Sequence, residues 1–544
     1  MLSKALANLG ATIDIATTRT RSLRGALRFG VRWDNELPQT ERVVDGVAIH
    51  RFRSFNMPMG AMLLLCYILQ RRWDTEEDQD RAWDDIDLDR EGCTGPGWHL
   101  PERHGATVLR WTKRRAQFVI ADSVTELGLT ALSTKKIPAR VLVEGKEVGR
   151  IRATRDWKHF RFPVTGFGRV RGTIEPSRLW RPLRDSRRLG VAISELSYCS
   201  HGATKQINLS AGHLLRKKKE ALIADLVQRA TRRPWIFDLL FTALRYPPSP
   251  GLISFVNRHA NQYDLILGHM VPFGTVNVAA GAAKRHARPL ALLPLAHVDD
   301  DFYHWNSYYR VFKQADLILA NSQYAVDQFY RRLGANAVAV GPGVDRADFE
   351  ASTVSGGRFR RKYGLPEIPL ILYVGRKSFL KRYDLLVRAV DLVNRDVRCK
   401  LVIIGADEDR VPITSPNVSV IGPLTRPDLI DAYDACDVFG LMSESESFGM
   451  VFLEAWMRRK PVIGNRRCGA VASLIEDGVD GYLCDDEWDC ADRIKALLAN
   501  PPQARILGEN GYRKVIGRFT WDQIGKRVFD LYEDLLASRA VRDR

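Results

Sequence analysis

The sequence predicts an α/β fold of doubly wound parallel sheets, interrupted by an all-β domain. Three observations carry that prediction. Downstream of Asp316, short apolar runs alternate with amphipathic helical patterns, and continuous Val/Ile/Leu strands separated by helices belong in a parallel sheet covered on both faces. Upstream, the same pattern occurs in two separated pieces. Between those pieces the apolar period changes to two, as in half-buried strands. At 45% hydrophobic and 27% charged residues, the composition excludes a disordered or collagen-like chain. The length of 544 residues suggests three or four domains, taking about 150 residues per domain as a loose guide.

In order, Leu2 to Leu9 reads as a helix, and Thr12 to Ala16 and Val47 to Phe52 as strands. The apolar stretch Met57 to Leu69 is interrupted by Pro58 and Gly60 and is too short to span a bilayer. Asp74 to Glu91 is strongly acidic, as expected of a solvated linker. Ala116 to Ala121, Ala139 to Gly145, His159 to Val164 and Gly190 to Leu196 are short strands between Gly, Pro and Asp turns, the pattern of a β-sandwich. His213 to Trp235 is a basic amphipathic helix, which either packs on its own domain or lies on anionic lipid. The α/β pattern resumes with strands at Tyr263 to Gly268 and Pro289 to Leu293. It continues with Leu317 to Asn321, Ala337 to Gly341, Leu370 to Gly375, Lys400 to Gly405, Val418 to Gly422, Val438 to Met442 and Pro461 to Gly464. Helices at Tyr383 to Asn394 and Pro427 to Ala435 fall between some of them. The expected division is therefore 1–70 and 201–315 for the first α/β domain, 71–91 for the linker, 92–200 for the insert and 316–544 for the C-terminal α/β domain.

Lys and Arg number 82 against 64 Asp and Glu, a formal net charge of +18. Such an excess calls for an anionic partner: nucleic acid, phospholipid or a phosphorylated small molecule. Residues 91–200 hold 21 basic and 10 acidic residues, so 21 − 10 = +11 of the excess lies in the insert. No zinc, helix-turn-helix or aromatic-basic RNA motif accompanies the charge, and no nucleic-acid partner is expected. The eight cysteines form no CxxC pair and have no His at finger spacing, which sets aside a zinc site and a redox dithiol. The N-terminus lacks a basic stretch followed by a long apolar core, so a cytoplasmic protein is expected.

Two segments are candidates for chemistry, although spacing alone leaves the first open to a capping or surface role and the second to an exposed basic loop. In Glu446-Ser-Phe-Gly-Met-Val-Phe-Leu-Glu454, two carboxylates flank a strand-to-helix junction with Gly449 at the turn. Backbone N–H groups at such a junction suit a phosphate or a sugar hydroxyl. In Gly375-Arg-Lys-Ser-Phe-Leu-Lys381, two cations, Arg376 and Lys381, lie five residues apart in the loop after a parallel strand, where open α/β sheets bind ligands. Arg offers a fork to phosphate oxygens and Lys a point charge.

Taken together these residues resemble the retaining glycosyltransferases of the GT-B fold, specifically glycosyltransferase family 4 (glycosyl transferases group 1). The family's E-x7-E element appears within ESESFGMVFLEAW, its Arg/Lys pair within YVGRKSFLKRYDLLVRA, and its base-side loop within VIGPLTRPDLIDAYDACDVF. The joint match runs from Asp316 to Leu536; a weaker one covers LILGHMVPFG and LLPLAHVDDDFYHW, where His297 matches the acceptor-side histidine and Asp300, His304 and His269 lie nearby. The resemblance implies two Rossmann-like domains with a nucleotide-sugar donor between them and a glycan or lipid-linked acceptor, in cell-surface polysaccharide biosynthesis. It implies catalytic roles for His297 and Glu446. It implies donor binding by Arg376 and Lys381 at the diphosphate, Glu454 at the ribose, Gly422, Pro423 and Leu424 near the base, and Ser447, Phe448 and Gly449 around Glu446. No metal and no cofactor are expected, because the two cations would neutralise the diphosphate; attachment to the inner face of the plasma membrane would use the basic surface. The pattern departs from the family in two places. The family's opening strand and Gly-rich loop have no counterpart, Met1 falling where the following helix starts, so the first strand of the N-terminal domain is expected to be missing. The insert, through RWTKRRAQFVI and SRLWRPLRDSRRLGVAI, resembles jelly-roll, carbohydrate-binding-like modules. The alternative to an enzyme is a non-catalytic carbohydrate-binding protein with a defective GT-B core.

Overall fold

In a computed structural model of the chain, the described residues are 1–18, 40–44, 47–52, 93–94, 98, 102–104, 107–120, 123–166, 170–180, 189–207, 209, 219–232, 235, 249–271, 274–300 and 303–542. The acidic run at 74–91 and the apolar stretch at 57–69 lie outside them. The chain forms two compact units, one of residues 1–66 with 223–544 and the other of residues 67–222.

In the first unit, the C-terminal part is a six-stranded sheet whose paired neighbours are all parallel. Its order is Val418–Ile421, Lys400–Ile404, Leu370–Val374, Val438–Leu441, Val462–Asn465, Gly481–Cys484. Every residue of Leu370–Val374 and Val438–Leu441 is buried, as central strands covered on both faces must be. Helix Tyr383–Val393 packs its apolar stripe, Leu386, Ala389, Val390 and Val393, into this core. The order reverses around the central pair, and the loops after Leu370–Val374 and Val438–Leu441 leave the sheet at adjacent carboxyl ends. That is the placement at which open α/β sheets bind ligands.

A four-stranded parallel sheet, Ile266–His269, Leu290–Leu293, Leu317–Ala320 and Ala337–Ala339, forms the second layer. Two of these strands were expected in the C-terminal domain. Leu317–Ala320 pairs with Leu290–Leu293, and Ala337–Ala339 pairs with Leu317–Ala320, so both belong to the first α/β domain. An apolar run specifies a buried strand but not which sheet it joins. A separate three-stranded sheet joins Ile13–Thr18 in parallel and Thr40–Val44 antiparallel to Val47–Phe52. Helix Leu2–Ala7 packs on the last helix, Trp521–Arg542, and Leu6, Leu317, Leu319, Val340, Ile524 and Val528 share one buried cluster.

Helix Lys219–Arg232 buries Ile223, Leu226 and Ala230, and Ile223 and Ala230 join the core around Leu290 and Leu292. Its apolar face is thus occupied by protein. This favours packing on its own domain over lying on lipid, an arrangement that needs a free apolar face.

The second unit contains two sheets with antiparallel pairing. One has the order Lys146–Arg152, Pro138–Val143, Val170–Pro176, Ala116–Ile120, Cys93–Thr94; the other runs Lys158–Gly166, Val124–Leu132, Ala192–Ser200, Thr107–Trp111, Glu102–His104. Phe118, Val141, Ile151 and Ile174 from the first and Leu127, Leu129, Phe162 and Leu196 from the second are buried in one cluster. Ala203–Gln206, beyond the expected end of the insert, pairs with Ala192–Ser200.

Candidate functional site

The site is built from two loops of the six-stranded sheet and one loop of the four-stranded sheet. After Leu370–Val374 the chain turns at Gly375 and runs through Arg376 to Lys381 before entering helix Tyr383–Val393. After Val438–Leu441 it forms Met442 to Gly449 and enters helix Met450–Met457. Gly449 sits at φ +103, and a Cβ there would lie 2.8 Å from the Phe452 ring, so this N-cap position needs glycine.

The first loop is held from below. Gly375 N–H donates to the Ile404 carbonyl and Lys377 N–H to that of Ala406. Gly405 comes so close that an added Cβ would fall 2.0 Å from the Gly375 carbonyl oxygen. Lys377 is only 2% exposed. Its ammonium pairs with Asp409 and with Asp407 (2.7 Å), donates to the Val411 carbonyl (2.8 Å) and lies over the Tyr383 ring. A buried ammonium requires such compensation.

Among the residues that the sequence singled out, Lys381, Glu446 and His297 converge. Lys381 Nζ donates to Glu446 Oε1 at 2.6 Å, with both side chains largely covered. His297, beyond the carboxyl end of Leu290–Leu293, has its Nδ1 3.2 Å from Ser445 Oγ, and Ser445 donates to Asp299 Oδ1 at 2.7 Å. The His297 ring stacks on Tyr303 at 5.6 Å. Burial holds the His297 imidazole below its ordinary pKa; Glu446 and the neighbouring Asp299 and Asp300 oppose that shift and Lys381 adds to it. The ring is therefore held toward its neutral form, with one nitrogen able to donate and the other to accept. Arg376, by contrast, is more than half exposed and reaches Glu408 with both bonds at 3.1 Å.

Glu454 is paired with different residues. Buried in helix Met450–Met457, it accepts from Arg426 Nη1 at 2.6 Å and from the Tyr433 hydroxyl at 2.8 Å. Burial, with the adjacent carboxylate, pushes the Tyr433 phenol upward, so it remains a donor. Gly422 and Pro423 are exposed and Leu424 half-buried in the loop leading to helix Arg426–Ala435, whose Thr425 cap accepts from Asp428 N–H. Arg426, the first residue of the helix that follows the loop at Gly422, Pro423 and Leu424, thus ties that loop to Glu454. Phe448 is buried and meets Phe519 at 5.4 Å between centroids, an anchoring role; Ser447 is half-buried. His304 is fully buried, bonded to the Tyr309 hydroxyl at 2.6 Å and the Val298 carbonyl at 2.8 Å, and it packs on Phe329. It is a core histidine. His269 is exposed at the end of its strand.

Sequence reasoning did not single out Ser445, Asp299, Lys377, Arg382, Arg426 or Tyr433. Ser445 stands directly beside Glu446 in Ser443-Glu-Ser-Glu446, and that adjacency was the available signal for it. Among the described residues no group of three or more His, Cys, Asp or Glu is placed to hold a metal ion. No helix of the described residues is long and apolar enough to cross a membrane.

Residues 357–514 match the family model described as glycosyl transferases group 1. The chain is 31% identical over 255 residues to a D-inositol 3-phosphate glycosyltransferase of Xylanimonas cellulosilytica, covering 43% of this chain and 60% of that protein. It is 31% identical over 253 residues to the protein of the same name from Saccharomonospora viridis, covering 42% and 58%. The chain thus spans about three fifths of the length of these relatives. Of solved structures, it is similar to HepE of Anabaena in complex with UDP and glucose, with 19% identity, a TM-score of 0.45, and 58% of this chain and 96% of that one covered. It is also similar to the pneumococcal O-GlcNAc transferase GtfA, with 15% identity, a TM-score of 0.41 and 81% of each chain covered.

Proposed function

We propose that this chain is a retaining glycosyltransferase that moves a hexose from a nucleotide-sugar donor to a glycan or lipid-linked acceptor in cell-surface polysaccharide biosynthesis. The observation that carries the reading is the meeting of His297, Lys381 and Glu446, from two different sheets, beside carboxyl ends of parallel strands. The match of residues 357–514 to glycosyl transferases group 1, and the names of the relatives, support the reaction class.

In this reading the donor lies between the two α/β sheets. Arg376 and Lys381 bind the diphosphate and stabilise the negative charge that grows on it as the glycosidic bond breaks, which is work a fixed cation can do without a metal or cofactor. Glu446 accepts hydrogen bonds from hydroxyls of the donor sugar, Glu454 those of the ribose, and the loop at Gly422, Pro423 and Leu424 passes the base. Ser447, Phe448 and Gly449 shape the turn that presents Glu446. Neutral His297 contacts the reacting sugar from the acceptor side. Water is excluded while the bond to the acceptor forms. The chain works in the cytoplasm, and the basic surface draws it to an anionic membrane face or glycan; nucleic acid is not its partner.

The test is a screen of nucleotide-sugar donors with glycan, lipid-linked and inositol phosphate acceptors, read as release of nucleoside diphosphate. Release that requires an acceptor and falls in Arg376→Ala supports the reading. No release with any pair, together with glycan binding by the intact chain, supports the non-catalytic carbohydrate-binding alternative.

A further inference from the structure

Lys381 and Arg382 are consecutive cations, and each reaches a carboxylate of the Ser-Glu-Ser-Glu loop: Lys381 reaches Glu446 and Arg382 reaches Glu444. The two pairs differ in setting. Arg382 and Glu444 are 7% and 8% exposed, and Arg382 Nη1 donates to Glu444 Oε1 at 2.5 Å. The other edge of the guanidinium grips Asp384, with Nε at 3.1 Å and Nη2 at 3.3 Å. Asp384 also accepts from Arg388, which continues to Glu487, so the network extends from the loop into two helices. The backbones are joined at the same point, where Glu444 N–H donates to the Leu380 carbonyl at 3.2 Å.

Arg382 holds this place at a conformational cost. Its backbone is left-handed, φ +47 and ψ +39, at the N-cap of helix Tyr383–Val393, a conformation that favours glycine. A non-glycine residue persists there when surrounding contacts over-determine it, and the buried fork to Glu444 and Asp384 supplies those contacts.

We propose that Arg382 and Glu444 form a fixed clasp that positions an exchangeable pair, Lys381 and Glu446. The inference rests on the glycosyltransferase reading and extends it. On arrival of the donor, the diphosphate takes the Lys381 ammonium and the sugar hydroxyls take the Glu446 carboxylate. The clasp keeps the two loops in register while that pair separates. Arg382 and Glu444 are positioning residues, acting through Lys381 and Glu446 rather than on the donor. Because Lys381 and Glu446 are ion-paired, diphosphate must displace Glu446 from Lys381, so removing that carboxylate strengthens binding of a free nucleoside diphosphate, which lacks the sugar.

The experiment is calorimetric titration of the full chain with UDP, GDP and ADP, for wild type, Arg382→Gln, Arg382→Lys, Glu444→Gln, the double variant Arg382→Gln/Glu444→Gln, and Glu446→Gln, with thermal melts of each. The clasp predicts that Arg382→Gln and Glu444→Gln each weaken the diphosphate bound by wild type about tenfold, as expected for contacting residues that couple, and that the double variant is no worse than the weaker single. Arg382→Lys retains most of the affinity, and Glu446→Gln gains it. A merely structural role would lower the melting midpoint and the folded fraction while leaving the dissociation constant of the folded protein unchanged, and that result overturns the proposal. If Arg382→Gln does not fold, Glu444→Gln reads the same contact with the Asp384 side intact. If wild type binds none of the three diphosphates, the glycosyltransferase reading fails and the clasp with it; if wild type binds and the clasp variants bind equally, the clasp alone fails.

Discussion

At the residue scale, the site depends on pairings that join groups far apart in sequence. His297 and Ser445 are separated by 148 positions, and Arg426 and Glu454 by 28. Because burial disfavours the His297 imidazolium, the unfolded chain takes up a proton first on acidification. Stability from this group is therefore present above the ordinary imidazole value of 6.5 and is lost as pH falls through the lowered folded value. His297→Gln is expected to flatten the dependence of the melting midpoint on pH below neutrality, and to lower turnover about 10²-fold at neutral pH through loss of one preorganised contact. Melts across a pH series, with rates at one pH, check both. The sequence exposed Lys381 and Glu446 because they stand in recognisable spacings, and His297 through the resemblance of its segment to the family's acceptor side. It did not expose Ser445, Asp299, Arg382 or Tyr433, whose residue types are ordinary and whose roles arise only when strands from different segments become neighbours. His304 shows the converse: nearby in sequence, it is enclosed by Tyr309, Phe329 and a backbone carbonyl.

At the element scale, strands of the parallel sheets deliver the loops, and close backbone approaches fix them. Gly405 against the Gly375 carbonyl is the tightest of these at the site. Gly405→Ala is expected to push the Arg376 to Lys381 loop away, costing on the order of 1–3 kcal/mol as other overpacked positions do, with a larger proportional loss of diphosphate affinity than of stability. Denaturant unfolding and calorimetry on the same preparation separate the two. Strands of uninterrupted Val, Ile and Leu were legible, Leu370–Val374 and Lys400–Ile404 among them. Gly481–Cys484 was not, because its four residues sit amid Asp, Gly and Glu and show no period. The assignment of Leu317–Ala320 to a sheet was equally hidden, since partner choice lies in hydrogen bonds between distant segments.

At the scale of the whole molecule, the two ends of the chain meet in the first unit. Helix Trp521–Arg542 returns to pack on helix Leu2–Ala7, and a Cβ on Gly525 would lie 2.6 Å from that of Ala5. Gly525→Leu is expected to lower stability by about 1–3 kcal/mol, seen as a lower unfolding midpoint, whereas leucine at the open Gly517 has room. Of the excess charge, +11 lies at 91–200, whereas Arg376 and Lys381 are each paired with a carboxylate. The decisive experiment is turnover of the full chain with its best donor for Lys381→Ala, Glu446→Ala and the two combined. Each single change is expected to lose about 10²-fold or more, and the combined change well short of the product, because the pair acts as a unit. Either single variant turning over at the wild-type rate would contradict that role for the pair.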